Sequence, residues 1–324
     1  MKTFNQRLNP AAAALAVLVV VLWGINTVSI KIALGVLPPL LTAGIRFVIS
    51  LPLIGLWARL RHIPLRPVPG ETKKLLLLTF LFVFQICMLY AGTSRTLASR
   101  ATLFIFTYPF FTTVFAHYMI GGDRLNAGKV AGLALAFGGV VLVFAESLST
   151  GSFATLTGDL MVLISGMAVG FRFVYTKQLT RGIPPVKLVF WQALMSLPFW
   201  FAASAVLERP GALQLNGEVL AALLYQGLVV AGFCFIVWTV LLHRYSASGL
   251  TVFAFLSPVS GVAVSSLLLS EPLSTALLAA LVLIAGGIAL VNRRTRKPRP
   301  QSRGSKKKAF RKGFPESPID ESAS

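Results

Sequence analysis

Two arginines fall within apolar stretches of the sequence, where a charged side chain is costly and therefore informative. Arg46 lies in the stretch 38–58 and Arg172 in the stretch 158–178. On insertion scales an arginine at the centre of a membrane helix costs about 2.5–3.5 kcal/mol. The chemistry that this cost favours is binding of an anionic group, such as a carboxylate, by one or both guanidinium groups in a central cavity. The alternative is that they bond helix carbonyls or extend to the nearer surface.

Further polar and aromatic residues lie within the apolar stretches and would suit the same cavity. Trp23 and Asn26 are three residues apart and share a helix face, as do Arg172 and Tyr175. A mostly apolar cavity with a few oriented polar groups is typical of small-molecule sites. For each amide a helix–helix hydrogen bond is the competing interpretation, and for each aromatic side chain it is packing. The candidate cavity residues are Trp23, Asn26, Arg46, Gln85, Arg172, Tyr175, Trp191, Gln192, Tyr225 and Gln226.

Ten apolar stretches of roughly twenty residues each would have to position these side chains. Each is long enough to cross a hydrocarbon core of about 30 Å as a helix. A mean hydropathy of +0.78 and a charged fraction of 12%, against about 25% in soluble proteins, point the same way. The sequence therefore predicts an all-α membrane protein with ten transmembrane helices. We place them at 11–33, 38–58, 75–93, 100–120, 127–146, 158–178, 186–206, 219–242, 248–270 and 274–292.

The ten stretches form two groups of five that carry matching motifs in the same order. Because five is odd, a second copy of the same fold would enter the membrane upside down. Two inverted copies about a midplane is the layout of many secondary transporters. The matches, first half against second, are Gly24 and Lys31 with Gly170 and Lys177, Pro109 with Pro258, and Gly138-Gly139 with Gly286-Gly287.

This repeat divides the chain. Residues 1–10 are assigned to a cytoplasmic N-terminus, 11–146 to the first five-helix repeat, 147–157 to a linker rich in Ser, Thr and Gly, 158–292 to the second five-helix repeat, and 293–324 to a basic, disordered cytoplasmic tail. The linker is expected on the side opposite both termini.

The basic residues predict the orientation. With the N-terminus in the cytoplasm, thirteen cations of the termini and loops fall inside and three fall outside, before the tail is counted. Since this bias explains the basic tail, nucleic acid is not an expected partner of a chain with a net charge of +20. The inside set is Lys2, Arg7, Arg59, Arg61, Arg66, Lys73, Lys74, Arg124, Lys129, Lys177, Arg181, Lys187 and Arg244; the outside set is Arg95, Arg100 and Arg209.

Two prolines and two acids are candidates for moving parts. Pro109 and Pro258 each remove a backbone hydrogen bond, which predicts a kink in the helix; a gating role and static packing are both open. None of the ten acidic residues lies at the middle of a stretch, whereas proton relays commonly use buried carboxylates. Asp159 and Glu271, near the outer surface, remain the candidates for coupling. Exchange or facilitated diffusion is the alternative.

Several function classes lack their required residues. Cys87 and Cys234 lie in separate apolar stretches and the three histidines are scattered, so no metal site or cofactor is predicted. An enzyme would require a nucleophile–base pair or paired carboxylates at depth, and neither is visible. A channel fits poorly with an internal inversion, while a non-transporting membrane subunit stays possible. The expected partners are a small-molecule substrate and the lipid bilayer, with the chain as a monomer or homodimer.

The order of these motifs resembles the EamA-type branch of the ten-helix drug/metabolite transporters. The resemblance covers nearly the whole chain except the tail. It rests on Trp23-Gly24 with Asn26 and Lys31, on Pro38-Pro39 with Arg46, and on a proline followed by an acid in each half. The opening stretch is especially similar to amino-acid metabolite exporters, which implies a carrier of the bacterial inner membrane that exports small polar metabolites. Sugars, nucleosides and drugs are alternative substrates.

Overall fold

Helices make up nearly all the regular structure in the residues that the computed structural model describes, which are 9–120, 127–149, 153–209, 215–245, 250, 253–254 and 256–293. In chain order they are α1 (Pro10–Leu34), α2 (Pro39–Leu60), α3 (Thr72–Arg95), α4 (Ala98–Ile105), α5 (Tyr108–Met119), α6 (Ala127–Ser149), α7 (Phe153–Leu179), α8 (Pro185–Leu207), α9 (Gly217–Leu224), a π-helical stretch (Tyr225–Cys234), α10 (Phe235–Arg244), α11 (Leu256–Leu269) and α12 (Thr275–Arg293).

Within the described residues, six helical segments are long and apolar enough to cross a membrane. They are α1, α2, α3, α7, α8 and the segment Gly217–Arg244, in which α9, the π-helical stretch and α10 follow one another without a break. The other four predicted stretches hold α4 with α5, α6, α11 and α12, in which the described apolar segment is shorter or the helix is interrupted. An all-helical membrane architecture is therefore confirmed, whereas ten complete crossings stay a prediction.

The prolines expected to kink their helices lie instead near helix starts. Between α4 and α5 the chain forms a turn at Phe106 and Thr107, and Pro109 occupies the first turn of α5. Pro258 occupies the first turn of α11, which the structure describes from Leu256. A first-turn N–H has no intrahelical partner, so proline there removes no hydrogen bond. The predicted kink within a continuous helix is thus wrong for Pro109.

Two lysines define the two ends of the bundle. At the end where α1 and α3 finish, the Lys31 ammonium donates to the carbonyl of Thr96, just after α3, at 2.6 Å and to a carbonyl in the last turn of α3. Where α7 and α10 finish, the Lys177 ammonium donates to the carbonyl of Tyr245, just after α10, at 2.6 Å and to a carbonyl in the last turn of α10. We call these the Lys31 end and the Lys177 end. Since α1 finishes at one and α7 at the other, the two helices run in opposite directions.

One glycine in each half, at matching positions, lets a helix of that half approach a helix of the other half closely. A Cβ at Gly170 of α7 would lie 2.6 Å from Phe111 Cβ and 2.7 Å from the Thr112 backbone nitrogen of α5. A Cβ at Gly24 of α1 would collide with the Ser257 carbonyl of α11. Small residues at helix crossings are how membrane helices bring their backbones together.

Replacing Gly170 with alanine should therefore destabilise the protein by about 1–3 kcal/mol, because the added methyl meets backbone that must shift. Thermal unfolding of the purified protein in detergent measures this. Gly138→Ala is the matched control, since a Cβ built at that helical glycine meets no described atom of another segment within 4 Å. Equal melting temperatures for the two variants would contradict the close-packing account.

Candidate functional site

A cavity of about 70 Å³ lies in the middle of the bundle, between α1, α2, α3, α7 and α10 and beside the turn that separates α4 from α5. Its walls are mostly apolar and aromatic. Five of the ten predicted cavity residues line it: Trp23, Asn26, Arg46, Gln85 and Arg172. The structure thus brings together residues from four helices that are far apart in the sequence.

The two arginines both line this cavity. Their side chains are buried, with 1% of Arg46 and 7% of Arg172 exposed, and no Asp or Glu is among the lining residues that the structure describes. Both guanidinium groups lie near the Phe235 ring, at 5.5 and 5.9 Å from its centroid. Such cation–π contacts offset about 0.5–2 kcal/mol each, which is less than the cost of burying a charge. The cavity therefore favours an anion.

Six buried polar atoms around the cavity have no hydrogen-bond partner among the described residues. They are two guanidinium nitrogens, an indole nitrogen, two amide oxygens and a hydroxyl: Arg46 Nε, Arg172 Nε, Trp23 Nε1, Asn26 Oδ1, Gln85 Oε1 and Tyr108 Oη. An unsatisfied buried polar group costs about 1–3 kcal/mol, and native proteins hold few of them. Their convergence on one cavity indicates a site that a polar ligand or water completes.

A chain of hydrogen bonds holds Arg46 in place. Its Nη1 donates to the Tyr90 hydroxyl at 3.1 Å, and that hydroxyl donates to Gln226 Oε1 at 2.6 Å. Gln226 Nε2 in turn donates to the Ser29 carbonyl at 3.0 Å. All four residues are buried. Gln226, a predicted cavity residue, thus lies one layer behind the cavity, in the π-helical stretch, an element frequent at functional sites.

The remaining predicted cavity residues lie outside the wall. Gln192 Oε1 is 3.5 Å from Arg172 Nη1, a long contact for a hydrogen bond. The Tyr225 hydroxyl donates to the Leu22 carbonyl at 2.7 Å. Tyr175 and Trp191 both pack against an apolar cluster at the Lys177 end, where the Trp191 indole donates to the carbonyl of Leu65.

Sequence reasoning missed several aromatic wall residues. Phe106 and Tyr108 belong to the break between α4 and α5, while Phe173 and Phe235 come from α7 and α10. Phe173 follows Arg172 directly and Tyr108 precedes Pro109, so only their neighbours gave a signal. In an apolar stretch a phenylalanine that faces a cavity cannot be distinguished by type from one that faces lipid.

The two coupling candidates form buried polar contacts at the Lys31 end, away from the cavity. Asp159 is fully buried and accepts hydrogen bonds from the Thr96 hydroxyl at 2.6 Å and from Arg100, which also pairs with Glu146. The Glu271 carboxylate caps the start of α4 by accepting its backbone N–H groups at 2.7 and 2.8 Å. In the described part of the chain, no three His, Cys, Asp or Glu side chains gather as metal ligands would.

Comparison with known proteins agrees with this arrangement. The EamA-like transporter family matches residues 10–145 and again residues 156–293. A probable amino-acid metabolite efflux pump of Escherichia coli is 31% identical over 283 residues, covering 85% of this chain and 92% of the relative; its namesake in Salmonella typhimurium shows the same identity and coverage. An uncharacterized transporter of Bacillus subtilis is 29% identical over 301 residues, covering 92% of this chain and 96% of the relative.

One solved crystal structure superposes on 90% of this chain and 100% of its own, with a TM-score of 0.68 and 19% identity, which supports the fold alone. The apolar helices and the transporter relatives make this an integral membrane protein. The family match confirms the resemblance that the sequence motifs indicated. The chain belongs to the EamA-like transporter family.

Proposed function

We propose that this protein is a secondary transporter that exports amino acids or related small polar metabolites across the bacterial inner membrane. The central cavity is the observation that carries the proposal. Among the described residues it combines two buried arginines and six unpartnered polar atoms with no acid in its lining. The two relatives that are 31% identical bear the name of probable amino-acid metabolite efflux pumps.

The chemistry of the cavity suits a molecule with a carboxylate and a second polar group. Arg46 and Arg172 would hold the carboxylate through their unpartnered Nε atoms. Asn26 Oδ1 and Gln85 Oε1 are acceptors, so they would receive hydrogen bonds from an ammonium group. The aromatic walls would contact the rest of the molecule.

Alternating access between two inverted halves is the mechanism we propose. The opposite directions of α1 and α7 support it, and so do the matching lysine contacts, in which Lys31 and Lys177 each bind the end of a helix of their own half. Helix pairs also match across the halves, because α2 packs on α8 and α6 on α12. Pro109 and Pro258, at the starts of α5 and α11, are the proposed gating positions.

The Lys177 end is the proposed cytoplasmic side. Arg59, Arg61, Lys73 and Lys74 flank the ends of α2 and α3 there, as the positive-inside rule predicts. Both termini would then be cytoplasmic.

Arg46→Gln should reduce export of a carboxylate substrate about tenfold to a hundredfold, since a hydrogen bond to a charged group contributes about 1.5–3 kcal/mol. Efflux from loaded proteoliposomes against an amino-acid panel, a sugar and a nucleoside measures this. Arg59→Gln is the matched control, because Arg59 lies on the same helix and is exposed. Full export by the Arg46→Gln variant, or export of the uncharged molecules alone, would contradict amino-acid binding by this arginine.

If export is coupled to protons through Glu271, the Glu271→Gln variant should export substrate at the same rate with and without a pH gradient. The export rate of the unmodified protein should change with the gradient. Glu208→Gln is the control, because Glu208 caps α2 through the backbone N–H groups of Leu40 and Leu41 as Glu271 caps α4. The same proteoliposomes measure both variants, with Asp159→Asn as a third. If Glu271→Gln still follows the gradient, this carboxylate is not the coupling group.

The orientation is testable by cysteine labelling in intact cells, after Cys87 and Cys234 are replaced by serine. A cysteine at exposed Leu207, at the Lys31 end, should react with an impermeant reagent added outside. A cysteine at exposed Arg66, at the Lys177 end, should react only after the cells are opened. The reverse pattern would overturn the proposed orientation.

A further inference from the structure

A second cavity lies at the Lys177 end, between the start of α1, the end of α2 and α10. At about 270 Å³ it is larger than the central cavity of about 70 Å³, and the two share no lining residue. Its walls are almost entirely apolar, with Leu15, Trp57 and Val240 from the three helices. We call it the α1–α10 groove.

The groove faces the surroundings of the bundle. Leu15 is 40% exposed and Trp57 is half-buried, and both lie on helices long and apolar enough to span a membrane. Exposed apolar side chains of such helices meet hydrocarbon rather than water. An apolar groove of this size is a poor site for water, which requires two to four polar partners. Its contents are therefore expected to be hydrocarbon.

Basic residues stand at the rim of the groove. Arg244 is among its lining residues and is exposed. The Arg61 guanidinium lies 5.6 Å from the centroid of the Trp57 ring, so it stacks on a groove wall. Tryptophan is enriched at the level of lipid headgroups, which places this rim at the membrane surface.

The one acid at this end in the described residues is already paired. Glu71 contacts Lys187 at 2.5 Å. Burial alone would raise the pKa of the Glu71 carboxyl, but the hydrogen bond and charge of Lys187, with the Val68 N–H, hold that pKa below its ordinary value. Glu71 is thus ionised and paired with Lys187. The basic residues at the rim of the groove therefore keep a net positive charge.

We propose that the α1–α10 groove binds an anionic phospholipid. An acyl chain lies along Leu15, Val240 and Trp57, and the headgroup phosphate binds Arg244, with Arg61 beside it. Basic pockets between membrane helices are suited to acidic headgroups. This site is separate from the central cavity and does not depend on what that cavity transports.

Native mass spectrometry and thermal unfolding of the full-length protein in detergent test the proposal. Phosphatidylglycerol should bind at lower concentration than phosphatidylcholine with the same acyl chains, and should raise the melting temperature further. Arg244→Gln should weaken phosphatidylglycerol binding about fivefold, as expected for one cation near an anionic surface. Leu15→Trp, whose larger side chain occupies part of the groove where the acyl chain would lie, should weaken binding of the lipid.

Two variants at the same end serve as controls. Arg66→Gln removes an exposed charge, and Leu56→Trp enlarges a residue that is 53% exposed; neither residue lines the groove, so both variants should bind as the unmodified protein does. Melting temperatures without added lipid verify that each variant folds. Equal binding of the two lipids, equal effects of Arg244→Gln and Arg66→Gln, or unchanged binding by Leu15→Trp would each overturn the proposal.

Discussion

A charged side chain inside a bundle surrounded by hydrocarbon must be compensated by other groups of the protein or by a ligand that the protein binds. Most cations of this chain that enter the bundle find protein partners. Arg100 pairs with two carboxylates, and Lys31 and Lys177 bond to helix carbonyls. Arg46 and Arg172 instead face a cavity, and none of its described lining residues is an acid. This difference separates the cations that hold the structure together from those that are available for a ligand.

The constraint also explains how the site is built. A guanidinium that awaits a ligand needs a fixed orientation, and the bonds through Tyr90, Gln226 and the Ser29 carbonyl supply it. These residues belong to α1, α3 and the π-helical stretch. The orientation of Arg46 in α2 therefore depends on the packing of three other segments, and the binding groups are linked to the arrangement of the whole bundle.

Much of this was predictable from the sequence, because polarity in an apolar stretch is a strong signal. It identified Trp23, Asn26, Arg46, Gln85 and Arg172, which do line the cavity. The sequence did not show how far along each helix the cavity lies. Tyr175 shares a face with Arg172 but lies about one turn closer to the end of α7. Residue type alone also gave no indication of which phenylalanines face inward, since that depends on how helices are rotated by packing. At Pro109 the sequence predicts a kink where the structure has a turn, because both conformations accommodate a proline.

The lysine contacts at the two ends have a consequence for motion. Each ammonium donates hydrogen bonds to two carbonyls at the end of a neighbouring helix. Separating these partners within the bundle would leave a charge and two acceptors without hydrogen bonds, at a cost of several kcal/mol. The ends of α1 and α3 are thereby joined at the Lys31 end, and those of α7 and α10 at the Lys177 end. A rearrangement that parts either pair of helix ends has to supply new hydrogen-bond partners for the lysine and for the carbonyls that it leaves.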